Sequence, residues 1–98
     1  MIYQVLSNEL FAELSNKFDK MIWNLTIHHE DSNTYTITVT LMSNRIDFVS
    51  NVLNYLRDKY GLVESINIIN EIREYRQSFY NISKEKIEQM YTLYKMGG

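Results

Sequence analysis

From Trp23 to Leu41 the side chains alternate between apolar and polar, and this pattern constrains the fold more than any other feature of the chain. Trp23, Leu25 and Ile27 alternate with Asn24, Thr26 and His28, and Tyr35, Ile37, Val39 and Leu41 alternate with Thr34, Thr36, Thr38 and Thr40. A period of two sends successive side chains to opposite faces of a strand. The polar segment 30–33 between the two runs suits a turn. Residues 21–42 are therefore expected to form an antiparallel hairpin, apolar on one face and threonine-rich on the other. A two-stranded ribbon is marginal in water, so the rest of the chain must cover its apolar face.

Elsewhere the apolar residues recur at helical spacing. Leu10, Phe11, Leu14 and Phe18 mark a first helix, with Ser7 as its N-cap, Leu6 and Phe11 as a hydrophobic staple, and Glu13 and Lys17 as an i,i+4 pair on the solvated side. Residues 2–6, Ile-Tyr-Gln-Val-Leu, are rich in strand formers and read as a third strand beside the hairpin. Asn44 and Gly61 bracket a second helix over 45–60, whose apolar residues span half its circumference. A further helix is expected over 63–80, with Ile66, Ile68, Ile69, Ile72, Tyr75 and Phe79 on one side. Ser83 caps the last helix, and Ile82 and Ile87 have staple spacing. The expectation is one compact α+β domain over 1–98, a short antiparallel sheet packed on helices with a C-terminal three-helix segment, in the order (β)αββααα.

Composition narrows the function classes. A chain of 98 residues supports one modest core. With no cysteine there is neither a disulfide framework nor a thiolate centre. Ten basic and twelve acidic residues, spread without blocks, leave neither the basic face of a general nucleic-acid binder nor the acidic excess of a DNA mimic. No apolar run has the length of a signal-peptide core or a membrane span, so a cytoplasmic protein without membrane contact is expected. Phe, Tyr, Met, Ile, Asn and Lys together outnumber Gly, Ala, Arg and Pro by 44 to 8, the codon signature of an A/T-rich genome.

The residues that could carry chemistry do not converge. His28 and His29 are adjacent on a strand and point to opposite faces, which argues against a shared metal. Thr26, His28 and Asp31 lie on a flat polar face with no pocket for an oxyanion. Three glycines cannot build a phosphate loop. Neither an enzyme, a metal nor a cofactor is expected. The candidate interaction surface comprises Arg76, placed in the apolar arc of its expected helix, the tyrosines Tyr75, Tyr80, Tyr91 and Tyr94, and the threonine face of Thr26, Thr36, Thr38 and Thr40, since tyrosine and arginine favour binding hot spots.

By elimination the expected function is a protein–protein interaction module. The A/T-rich composition fits a small phage or mobile-element protein that binds and inhibits a host or defence-system protein. Two alternatives stand beside it: an oligomeric binder of an anionic ligand such as a nucleotide, held by Arg76 and nearby tyrosines, and a DNA-binding regulator built on the helix pair around Gly61. Wide apolar arcs on the late helices favour a homodimer.

Overall fold

A computed structural model describes residues 2–18, 21–42, 45–63, 68–71 and 74–97. The elements are α1 (Ile2–Lys17), β1 (Ile22–Asp31), β2 (Thr34–Leu41), α2 (Ile46–Tyr60), β3 (Ile68–Glu71), β4 (Glu74–Ser83) and α3 (Lys84–Gly97). The strands form one antiparallel sheet in the order β1-β2-β4-β3. The fold is α+β, and the hairpin expected over 21–42 is its first half.

That hairpin turns at Ser32 and Asn33, where the Asn33 amide donates to Asp31 Oδ1 at 2.9 Å, an aspartate-stabilised turn. Tyr35, Ile37, Val39 and Leu41 all point into the core, as their alternation requires. Trp23 does not. β1 carries a bulge between Ile22 and Asn24, so Ile22 takes the inward position opposite Leu41 and Trp23 is left 60% exposed.

Two element assignments need correction. Residues 2–6 are the first turns of α1 rather than a strand. Leu6, Leu10 and Leu14 form an i,i+4 stripe with no solvent exposure, and burying that stripe against β1 outweighs the strand preference of Ile2, Tyr3 and Val5. Ser7, now inside the helix, donates its hydroxyl to the Leu25 carbonyl at 2.9 Å, which satisfies an acceptor on the edge strand β1.

The second correction replaces the middle helix of the expected C-terminal trio with β3 and β4. Tyr75, Gln77 and Phe79 are buried while Arg76 and Tyr80 are exposed, a period of two hidden in the sequence because the inward position 77 holds a glutamine. Gln77 is fully buried among apolar residues, accepts from the Tyr75 hydroxyl at 3.2 Å and donates to the Ser78 carbonyl at 3.0 Å. Opposite Thr36, β4 carries an extra residue, and Asn81 there adopts φ 59°, the left-handed region that asparagine tolerates best after glycine. β4 fills the second edge of β2 and makes it a central strand.

Core residues of α1, α2, α3 and the inward sides of β1, β2 and β4 form a single cluster, so the helices share one face of the sheet. Phe18 meets Phe48 and Tyr55 edge-on at 6.1 and 5.8 Å, joining α1 to α2. Ser83 caps α3 as expected, accepting from the Lys86 amide at 3.1 Å. The cap assigned to Asn44 lies outside the described residues. Gly61 ends α2 at φ 68°, its amide donating to the Arg57 carbonyl at 2.9 Å. A Cβ there would also stand 2.7 Å from Lys86 Nζ, the mobile end of a side chain. Gly61→Ala is therefore expected to lower stability by about 1 kcal/mol, mainly through the backbone conformation, as read by urea denaturation.

Candidate functional site

The face of the sheet away from the helices carries Asn24, Thr26 and His28 from β1, Thr34, Thr36, Thr38 and Thr40 from β2, and Arg76, Ser78 and Tyr80 from β4. Among the described residues no helix covers it. The register sets the rows: Thr26, Thr38 and Ser78 lie abreast, as do Asn24, Thr40 and Arg76. Thr38 and Ser78 hydroxyls meet at 3.0 Å. Thr36 and Thr40 are largely shielded by their neighbours on the flanking strands, and Thr36 donates to Glu30 Oε1 at 3.0 Å.

At one end of this face the bulge holds Trp23 over a shallow depression lined by Asn24, Thr40, Glu74 and Arg76. Arg76 Nη2 pairs with Glu74 Oε1 at 2.7 Å, so neither charge stands alone. Met21 and Met42, joined by a backbone hydrogen bond of 2.9 Å, are exposed at the same end of the hairpin. Burying a large apolar side chain is worth about 1.5 to 3 kcal/mol, so a fold that turns its only tryptophan outward forgoes a sizeable stabilisation.

The surface residues expected from sequence divide between the two sides of the molecule. Arg76, Tyr80, Thr26, Thr36, Thr38 and Thr40 share the open face. Tyr75 points into the core. Tyr91 and Tyr94 lie on α3, packed against the core cluster, with Lys95 Nζ 4.6 Å from the Tyr91 ring and the Tyr94 hydroxyl donating to the Glu9 carboxylate. Arg76 is thus separated from three of the four tyrosines that would have shared an anion with it. The helix pair around Gly61 is not formed either, since residues 68–71 are strand. His28 is exposed, whereas His29 stacks on Tyr35 with ring centroids 4.8 Å apart and leans on Tyr3 at 5.6 Å. Trp23 is the residue that sequence reading placed on the wrong side. The signal for it was the run Met21-Ile22-Trp23, in which either Ile22 or Trp23 could fill the inward position.

A second polar cluster joins α1 to α2. Glu13, read from sequence as a solvated partner of Lys17, accepts from Lys59 Nζ at 2.5 Å, from the Tyr55 hydroxyl at 2.6 Å, and from the Tyr60 hydroxyl. Lys17 lies over the Tyr55 ring at 4.8 Å instead. Burial pushes the Glu13 carboxyl upward, but the three donors and the Lys59 charge prevail and hold it below its ordinary value of 4.5. Burial and the same carboxylate push Tyr60 and Tyr55 above the ordinary phenol value of 10.0. All three donors to Glu13 come from α2, which makes the cluster a clamp between the two helices. Among the described residues no group of three or more His, Asp or Glu could hold a metal, and no helix is long and apolar enough to cross a membrane.

No protein-family model, curated protein or solved structure matches the chain.

The clamp has a pH signature. A carboxyl held low in the folded state contributes stability that is present above about pH 4.5 and lost as pH falls through the lower folded value, and phenols held high contribute stability that is lost as pH rises above about 10. Glu13→Gln keeps a neutral acceptor but leaves Lys59 without its counter-charge, and is expected to cost about 2 kcal/mol at pH 7. The gap between this variant and the parent should narrow below pH 4, as measured by denaturant titration across pH.

Proposed function

We propose that the chain is a non-enzymatic protein–protein interaction module whose contact surface is the open face of the sheet. The observation that carries this reading is the bulge that turns Trp23 outward. Bulges are over-represented where a strand must re-aim a side chain for use, and tryptophan, tyrosine and arginine are the residues most enriched at interface hot spots. Trp23, Tyr80 and Arg76 lie on one open sheet face with a hydroxyl-rich centre, a layout suited to another protein surface. The depression beside Trp23 is open and shallow, which suits an anchoring side chain better than an enclosed small ligand.

The test is a photo-crosslinking phenylalanine analogue placed at position 23, with the same analogue at Asp58 on the exposed side of α2 as control, irradiated in cells. A discrete protein adduct formed at position 23 and absent at position 58 is the expected result. Equal or absent labelling at the two positions would overturn the reading. Trp23→Ala should weaken the contact by about 2 kcal/mol or more, measured by titration with the captured protein.

A further inference from the structure

A cleft of about 310 Å³ opens on the helix side of the sheet, between the start of α1, the start of β2 and the first two turns of α3. Ile2, Tyr3, Tyr35 and Ile87 line it with apolar surface, and Lys84 and Glu88 bring one charge of each sign. Tyr35 and Ile87 are buried and form the floor, while Ile2 stands exposed at the mouth. The volume lies at the small end of the ~300 to 1,000 Å³ of ligand clefts, room for one ring and a short head group.

The aromatic wall carries polar atoms that the protein leaves unmatched. Tyr3, His29 and Tyr35 pack as one group of rings, with centroids 4.8 to 5.6 Å apart. Only 5% of Tyr35 is exposed, yet its hydroxyl has no hydrogen-bond partner among the described residues. That hydroxyl is not sealed in. Among the described residues the buried side-chain polar atom without a partner is His29 Nε2, in the same group of rings, so the Tyr35 hydroxyl reaches the outside, and the cleft is the opening that Tyr35 lines. Buried tyrosine hydroxyls ordinarily find a partner, and phenylalanine would fill a position that needs only a ring.

Lys84 and Glu88 stand one turn apart on α3, both exposed, and among the described residues neither side chain forms an ion pair. A simple anion would meet Lys84 but face Glu88, and a simple cation would meet Glu88 but face Lys84. A ligand carrying both signs matches every polar group of the lining: a carboxylate for Lys84 and the Tyr35 hydroxyl, an ammonium group for Glu88. We propose that this cleft binds a free α-amino acid with an aromatic side chain, its ring among Tyr3, Tyr35 and Ile87 and its charged head group toward Lys84 and Glu88. The cleft lies across the sheet from the open face, so this binding is independent of the contact role given to that face.

Nuclear magnetic resonance titration of the isotope-labelled full chain with L-phenylalanine tests this directly. The expected result is saturable movement of the Tyr3, Tyr35 and Ile87 amide signals with a dissociation constant below about 1 mM, while the Trp23 indole signal stays in place. 3-Phenylpropionate, which lacks the ammonium group, phenethylamine, which lacks the carboxylate, and N-acetyl-L-phenylalanine amide, which lacks both charges, should each bind roughly tenfold more weakly or worse. Tyr35→Phe, which removes only the hydroxyl, should weaken L-phenylalanine about tenfold, and Ile2→Trp, which fills the mouth from an exposed position, should abolish its binding. Should either variant lose the dispersed spectrum of a folded chain, Lys84→Gln on the surface of α3 takes its place, with an expected weakening of roughly tenfold. No saturable movement with L-phenylalanine, analogues that bind as tightly as the amino acid, or binding indifferent to these substitutions would overturn the proposal.

Discussion

Pairing β2 on both edges is the constraint on which the rest of the structure depends. With β1 on one side and β4 on the other, β2 is paired along both edges, and the strict alternation of its side chains becomes a division of the whole molecule. Tyr35, Ile37, Val39 and Leu41 define the side on which all three helices gather, and Thr34, Thr36, Thr38 and Thr40 define the side they leave open. A one-residue slip of β2 would exchange these sets, and the buried leucines of α1 would then face hydroxyls. The three register shifts, at Trp23 and at Glu30 on β1 and at Asn81 on β4, put the extra residue on the flanking strands, so the central strand keeps its alternation while its neighbours absorb the irregularity.

The helical layer is held by apolar packing and by a charged clamp around Glu13. Glu13 receives three donors from the last two turns of α2, and Phe18 packs edge-on against both Phe48 and Tyr55 beside it. A carboxylate in that position costs desolvation, and its three hydrogen bonds offset the cost only if α1 and α2 meet at one angle and one register. The clamp therefore fixes geometry as much as it adds stability. Gln77 does the same within the sheet, where it accepts from the Tyr75 hydroxyl and donates to the Ser78 carbonyl.

Much of this was legible in the sequence, and the failures have physical causes. The hairpin was legible because its alternation is long and uninterrupted, the end of α2 because Gly61 alone supplies a left-handed stop, and the start of α3 because Ser83 and Ile82 carry both halves of a capping signature. β4 was not, because Gln77 interrupts the apolar alternation and makes Tyr75, Phe79 and the preceding isoleucines look like a helical stripe. Arg76, out of place in that imagined stripe, is in place on an open sheet face. Ser7 and Glu13 looked like a cap and a surface pair because their partners, Leu25 and the α2 tyrosines, are 18 and more than 40 residues away. Half of the candidate surface was visible as a threonine row, but its anchor, Trp23, depended on a bulge that local pattern leaves undecided between two adjacent apolar residues.

The contact role of the open face is tested most directly by hydroxyl-radical footprinting of Trp23 and Tyr80 in living cells and in dilute purified protein. Both are exposed in the isolated chain and should label readily in dilute solution. The expected result is strong protection of both in cells, with the exposed Met96 at the end of α3 labelled equally in the two settings. Equal labelling of Trp23 in cells and in dilute solution would contradict a contact role for the open face.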